Sequence, residues 1–291
     1  MKAGDLTMTQ TIAHLGPHGT YTESAALKYL TWLSQTQHDT AFLCPYPSIT
    51  QTIEAAAKGQ AQFAVVPVEN SIEGSVTMTL DALWRLDTLR IQHAIVLPIH
   101  HALLSIAERL DEIQTVYSHP QALSQCQNWL DRNLPNVQLI AANSTTEALQ
   151  HLGEDQTIAA ISSQRAAQLY SLPILASPIN DHPENCTRFL VLSLNASSGG
   201  SRTSLAFSVS ANQPGVLVKP LQIFAERGIN LSRIESRPTK RSLGDYVFFM
   251  DLEADSRETA MQSALAELAT CTETLKIFGS YNVLPSINSG S

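Results

Sequence analysis

The chain has 291 residues, of which 44% are hydrophobic and 15% charged, with a net charge of −8 and an isoelectric point near 5.5. This is the composition of a globular chain able to bury a full core, with a length that suggests two domains. The acidic balance argues against nucleic acid and anionic membranes as partners, and no apolar run reaches transmembrane length.

The opening stretch MKAGDLTMTQTIAHL has no long apolar segment and is no secretory signal. Met8 is a candidate start, and residues 1–10 are set apart from the fold. A strand over 11–15 then leads through Gly16-Pro-His-Gly19 into a helix over 21–33. A strand over 41–44 and a helix over 49–58 come next. The strand 63–68 passes through Asn70-Ser-Ile-Glu-Gly74 into a helix over 75–84. Strands follow at 94–97 and 115–118, the second turning at Ser118-His-Pro120 into a helix over 121–133. Strand 138–141, the turn Asn143-Ser-Thr145, helix 145–151, strand 158–161, helix 163–170 and strand 188–192 complete this part. Such alternation argues for α/β layers with parallel sheets. The polar turns leave backbone N–H groups free where helices start, and those ends attract anions. In open α/β sheets, ligands bind at these strand ends.

The stretch Asn195-Ala-Ser-Ser-Gly-Gly-Ser201 is small and polar and reads as a linker. Beyond it the order is strand 203–210, helix 216–227, strand 230–237, strand 245–253, helix 257–272 and strand 275–283. That is the ferredoxin-like βαββαβ pattern. Cys44, Cys126, Cys186 and Cys271 are far apart and show no metal-type spacing, as expected of reduced thiols in a cytoplasmic protein.

Five motifs stand in order along the chain: Gly16-Pro-His-Gly-Thr-Tyr-Thr-Glu23, Pro67-Val-Glu-Asn-Ser-Ile-Glu-Gly-Ser75, Ser118-His-Pro-Gln121 with Gln125-Cys126, Asn185-Cys-Thr-Arg-Phe189, and Glu235-Ser-Arg-Pro238. Together they resemble the prephenate dehydratase family. The resemblance implies a two-lobed catalytic part over 11–194 like a type 2 periplasmic-binding protein, with one lobe at 11–92 plus 178–194, the other at 93–177, and the substrate cleft between them. It further implies a linker over 195–202 and a regulatory ACT domain over 203–284. Some relatives carry an N-terminal chorismate mutase domain. Only a short leader precedes the first motif here, so the chain reads as monofunctional.

The reaction so implied expels the ring hydroxyl of prephenate as water and its ring carboxylate as carbon dioxide, giving phenylpyruvate. It needs no cofactor and no metal. The resemblance implies that Thr187 is the catalytic group, donating a hydrogen bond to the departing hydroxyl. Arg188 offers a planar fork to a carboxylate, or alternatively a structural ion pair. Neighbouring strand residues point opposite ways, so both face the cleft only if the strand starts irregularly. Asn70 and Ser71 are substrate donors or helix caps, and the adjoining Glu69 is a lesser candidate, as an acid or as a hinge carboxylate. The resemblance favours Ser118 and Gln125 as substrate contacts, the alternative being a capping serine and a solvated glutamine, with Gln121 one helical turn from Gln125. Thr20, Ser144 and Thr145 occupy equivalent strand-to-helix turns and are further candidate substrate contacts. His119 is a candidate general acid–base group read rather as a structural partner, and His100-His101, facing opposite sides, lack the further ligands a metal needs.

In the C-terminal part, the resemblance implies that Asn212, Gly215, Val216, Leu217 and Val218, with Glu235, Ser236, Arg237 and Pro238, form a phenylalanine pocket across an ACT dimer. Val216 stands where the family usually has alanine. L-Phenylalanine is then the allosteric effector and the protein a cytoplasmic homodimer or homotetramer. Two other readings stand beside this one: an arogenate dehydratase, and a non-catalytic amino-acid sensor.

Overall fold

The computed structural model describes residues 10–36, 40–209 and 213–285. Met8 and Asn212 lie outside these residues. The chain forms two compact units. The first takes the chain up to Ser48, then Asn70–Gly74 and Val96–Thr187; the second takes Ile49–Glu69, Ser75–Ile95 and everything from Arg188 onward.

In the first unit the strand Gln10–Leu15 runs parallel to Ala41–Tyr46, with Ile12 opposite Leu43. The crossover helix Tyr21–Thr36 buries Ala25, Ala26, Tyr29 and Leu33, an apolar stripe at helical spacing. A five-stranded sheet follows the order Ile174–Ala176, His101–Leu104, Ile158–Ser163, Thr115–Ser118 and Gln138–Ala141. Leu103, Val116, Leu130, Ala159 and Ile161 form the core on one side of it.

Three departures from the sequence reading shape this unit. His101–Leu104 is an unexpected strand, and its antiparallel pairing with Ile158–Ser163 makes the sheet mixed. All four of its residues are buried, so it has no alternation to reveal it. The helix expected over 121–133 breaks into Pro120–Ser124 and Gln127–Asn133. The Gln125 carbonyl accepts from Asp181 N (2.9 Å), and the Asp181 carboxylate caps the second piece by accepting from Asn128 N (2.8 Å) and Trp129 N (3.0 Å). A carboxylate more than fifty residues away leaves no local signal in the sequence. The segment expected as helix 145–151 is a 3₁₀ turn over Glu147–His151.

The second unit contains the helices Ile49–Ala57 and Thr77–Arg85 and the C-terminal βαββαβ module. That module comprises the strands Arg202–Ser208, Leu231–Pro238, Tyr246–Leu252 and Thr274–Val283 and the helices Val218–Ala225 and Thr259–Thr270. Its antiparallel sheet has Leu231–Pro238 at the edge, then Tyr246–Leu252, Arg202–Ser208 and Thr274–Val283. This is the ferredoxin-like order, and Leu205, Phe207, Phe224, Met250, Met261 and Leu268 fill its core. The last strand then pairs in parallel with Arg90–Pro98, Asn282 opposite His93, and the sheet continues through Cys186–Ser193 to Phe63–Asn70.

The polar stretch 195–201 is held along its length. Gln92 donates to the Asn195 carbonyl (2.8 Å), and Gly200 N donates to Asp255 Oδ2 (2.8 Å). A Cβ on Gly200 would fall 2.1 Å from the Tyr281 carbonyl carbon, so only glycine fits there. Among the described residues, no helix is long and apolar enough to cross a membrane.

Candidate active site

The end of the Phe63–Asn70 strand and the start of the Cys186–Ser193 strand bring Asn70 and Thr187 together. Both are nearly closed off, at 5% and 8% exposure. Asn70 Oδ1 accepts the backbone N–H groups of Ile72 (3.0 Å) and Glu73 (3.0 Å). Its Nδ2 therefore faces acceptors only: Thr187 Oγ1 (2.9 Å), Asn185 Oδ1 (2.9 Å) and the Cys186 carbonyl (3.2 Å). The amide cannot be reversed without setting like against like. Thr187 thus receives a hydrogen bond on its oxygen, which leaves its own proton free to be donated elsewhere.

Behind this pair the network continues. Asn185 Nδ2 donates to Gln125 Oε1 (3.0 Å), which also accepts from His101 Nε2 (3.0 Å). Gln125 Nε2 donates in turn to Glu73 Oε1 (3.3 Å). Ser71 Oγ donates to Asn185 Oδ1 (3.3 Å) and accepts from Cys186 N (3.0 Å). Every amide orientation is set by its neighbour, so the Asn70 donor is aimed by a chain that runs back to His101.

His101 is buried, its Nε2 proton is given to Gln125, and its Nδ1 has no hydrogen-bond partner. Burial pushes its pKa below the usual histidine range, only partly offset by the Gln125 bond. The folded state therefore resists protonation while the unfolded chain accepts a proton near pH 6.5. Stability is expected to fall as pH drops below about 6.5, and His101→Asn should make that fall shallower. Urea unfolding of both proteins at pH 7.5 and 5.5 measures it; equal slopes would remove His101 from this role.

The loop before the Tyr21–Thr36 helix is locked by Glu23. Its carboxylate accepts from Gly19 N (2.7 Å), His18 Nδ1 (2.6 Å) and Arg165 Nε (3.1 Å). Gly19 has φ +86°, and its carbonyl accepts from Ser163 Oγ (2.8 Å). His14, His18 and Glu23 place potential ligand atoms within 4.8 Å of one another. With Arg165 on the same carboxylate, a cation there would be repelled, so the cluster reads as a loop lock.

The other expected contacts divide. Thr20 accepts from Glu23 N (3.2 Å) and donates to the Leu15 carbonyl (3.2 Å), capping its helix. Ser144 accepts from Glu147 N (2.9 Å) and lines a cavity of about 570 Å³ with Pro17, Thr146 and Tyr170. Thr145 is half-buried, next to Ser144. Neither Thr145 nor Thr187 lines that cavity. Ser118 does not join the cluster. It is fully buried and donates to the Ile161 carbonyl of the neighbouring strand (2.7 Å). His119 caps the Pro120–Ser124 helix by accepting from Gln121 N (3.2 Å). Gln121 is exposed where Gln125 is buried, since the helix break ends their common face.

Arg188 is not brought to the cluster either. The strand alternates regularly, so its guanidinium lies on the face opposite Thr187. Its Nη2 donates to Asp251 Oδ2 (2.5 Å) and lies 2.9 Å from Glu69 Oε2. Burial pushes the Asp251 carboxyl up, but the charges of Arg188 and Arg233 outweigh it and hold the group below the usual carboxylate range. Sequence reasoning missed Asn185 and His101 as members of the cluster. Asn185 opened a quoted motif, and that position was its only signal; the partner of His101 depends on the unforeseen strand.

In the C-terminal module Gly215 has φ +80°, and its carbonyl accepts from Val218 N (2.8 Å) as the helix begins. Val216 and Leu217 are half-buried, and Val218 is exposed. On the edge strand, Glu235 Oε2 accepts from Ser75 Oγ (3.0 Å), and Arg237 pairs with Asp81 (3.2 Å). Ser236 and Pro238 are exposed.

Comparison with known proteins places these features. Residues 12–197 match the family described as prephenate dehydratase, and residues 203–270 match the ACT domain. The chain is 42% identical over 272 residues to a bifunctional chorismate mutase/prephenate dehydratase of Aquifex aeolicus, covering 93% of this chain and 73% of that one. It is 35% identical to the prephenate dehydratase of Methanocaldococcus jannaschii, covering 95% and 99%. The crystal structure of a prephenate dehydratase in complex with L-Phe from Arthrobacter aurescens superposes with a TM-score of 0.82 at 33% identity, covering 95% and 92%.

Proposed function

Because the chain belongs to the prephenate dehydratase family, we propose that it converts prephenate to phenylpyruvate in phenylalanine synthesis and that phenylalanine regulates it. The α/β catalytic part corresponds to residues 11–194 and the ACT module to 203–284, in keeping with the matched ranges 12–197 and 203–270. The carbon–carbon bond to the ring carboxylate breaks and carbon dioxide leaves. The electron pair enters the ring, the carbon–oxygen bond breaks, and the departing oxygen takes up a proton and leaves as water. Aromatisation drives the step.

One observation carries the catalytic assignment: Thr187 has its oxygen held by Asn70 and its proton free. A threonine hydroxyl is too weak an acid to give up its proton outright. It acts as a fixed hydrogen-bond donor to the leaving oxygen, relaying a proton from water. A donor already in place needs no reorganisation in the transition state. Asn70 bonds it directly, Ser71 and Gln125 connect to Asn70 through Asn185, and the turns at Thr20, Ser144 and Thr145 supply N–H groups for the carboxylates of the dianion. This reading leaves Ser118 and Arg188 out of the contact set, since Ser118 Oγ already donates to the Ile161 carbonyl and Arg188 Nη2 already pairs with Asp251 and Glu69.

The edge strand Leu231–Pro238, with Ile234 43% exposed and Val218 61% exposed, supports a homodimer formed through the ACT modules, with phenylalanine held between Gly215–Val218 and Glu235–Pro238. A cytoplasmic location belongs to the same proposal. The purified protein is expected to form phenylpyruvate from prephenate, with the rate lowered by phenylalanine. A faster reaction with arogenate would make it an arogenate dehydratase. Failure on both substrates with phenylalanine still bound would make it an amino-acid sensor.

A further inference from the structure

We infer that Glu69 and Arg188 are positioning residues that carry the effector state of the ACT module to Asn70 and Thr187. Two adjacent strands each present a pair of neighbouring residues: Glu69 and Asn70 on one, Thr187 and Arg188 on the other. Neighbouring strand residues project to opposite faces. Asn70 and Thr187 meet on one face at 2.9 Å, and Glu69 and Arg188 meet on the other at 2.9 Å. Each strand therefore ties a reacting-side residue to a charged residue through a single peptide unit.

The charged face is wired to the effector strand. Arg233 lies 3.6 Å from Glu69 and 3.7 Å from Asp251, while Arg188 lies 2.5 Å from the same Asp251 oxygen. Glu69 and Asp251 are thus each shared between the two arginines. Arg233 Nη2 also donates to Ser75 Oγ (2.6 Å), and Ser75 donates to Glu235 (3.0 Å). Arg233 sits two residues before Glu235, on the same face of the strand.

A ligand that engages Glu235 competes with Ser75 for its carboxylate. Ser75 and Arg233 then rearrange, and Glu69 is redistributed between Arg233 and Arg188. Any turn of Glu69 is felt at the Asn70 amide, which aims the donor on Thr187. The two arginines sharing two carboxylates supply discrete alternative pairings, as a two-state element requires. This rests on the reading that phenylalanine regulates the enzyme through the ACT module.

The test is Glu69→Gln, which keeps shape and removes charge, with Arg233→Lys as a second variant that keeps charge and loses the fork. Wild type, both variants and Glu69→Asp are assayed for phenylpyruvate formation with and without saturating phenylalanine, and phenylalanine binding is followed by calorimetry. Wild-type inhibition of roughly 5–150-fold is expected to shrink to within about twofold in Glu69→Gln, with phenylalanine still binding and Glu69→Asp restoring part of the response. A purely structural role would lower stability without separating binding from inhibition. Inhibition of Glu69→Gln as strong as that of wild type overturns the proposal, as does loss of phenylalanine binding in that variant, which would put Glu69 in the pocket itself. If Glu69→Gln does not fold, Arg233→Lys decides by the same two results. A wild type that makes phenylpyruvate but ignores phenylalanine overturns the regulatory reading as well. One inhibited equally with and without the substitution overturns the coupling alone.

Discussion

Thr187→Val is expected to lower kcat by roughly 10²–10³-fold while KM for prephenate changes little. Valine keeps the shape of threonine and removes only the hydroxyl. Asn70 Nδ2 retains Asn185 Oδ1 and the Cys186 carbonyl as acceptors, so the amide is not stranded. The loss should therefore fall on the step in which the ring oxygen departs, and an interaction made only in that transition state lowers kcat and kcat/KM together. Thr187→Ser, which keeps the hydroxyl but loosens its rotamer, should recover much of the rate. Steady-state kinetics on the three proteins is the measurement, and a valine variant with wild-type kcat would remove the hydroxyl from the mechanism.

Arg188→Met is expected to have the largest effect on stability. It leaves Asp251, 4% exposed, with Arg233 at 3.7 Å as its remaining cation and with the hydrogen bond from Ser204 Oγ (2.5 Å). Removing one partner of a buried ion pair typically costs about 3–5 kcal/mol. At about 2–4 °C per kcal/mol the melting temperature should fall by roughly 6–20 °C. Replacing both partners, Arg188→Met with Asp251→Leu, should return much of this, because an apolar pair of similar volume avoids the unpaired charge. The pH dependence has a definite sign. The folded Asp251 carboxyl titrates below the usual aspartate value, so its contribution is present above about pH 3.9. It is lost as the pH falls through the lower folded value. Thermal melts of the two variants decide the matter; a single variant as stable as wild type would show that the cluster is not a net support.

Local pattern was enough for the α/β class and for the βαββαβ module, because both are written in short-range periodicity. The stripe Ala25, Ala26, Tyr29 and Leu33 already marks a helix against a sheet. Strand–helix–strand–strand–helix–strand leaves few ways to close a four-stranded antiparallel sheet. Thr187, Asn70, Ser71 and Gln125 were legible through the motifs that contain them, and the structure joins them in one network. The break at Gln125 was not legible, since its cause is Asp181, brought in from another segment. Nor was the burial of Ser118, whose hydroxyl answers to a carbonyl 43 residues away.

The sequence by itself determined the α/β alternation, the βαββαβ order, where the polar turns lie, and which residue types are available for the chemistry. Tertiary structure alone decided how those side chains divide their hydrogen bonds. The physical reason is that a donor or acceptor buried without a partner is costly, so most buried polar groups take whatever partner the fold brings near, at any distance along the chain. Thr187 and Arg188 show this most directly. They are neighbours in one motif, yet strand alternation sends one to an amide that leaves its proton free and the other to two carboxylates, Asp251 and Glu69, that hold it fast.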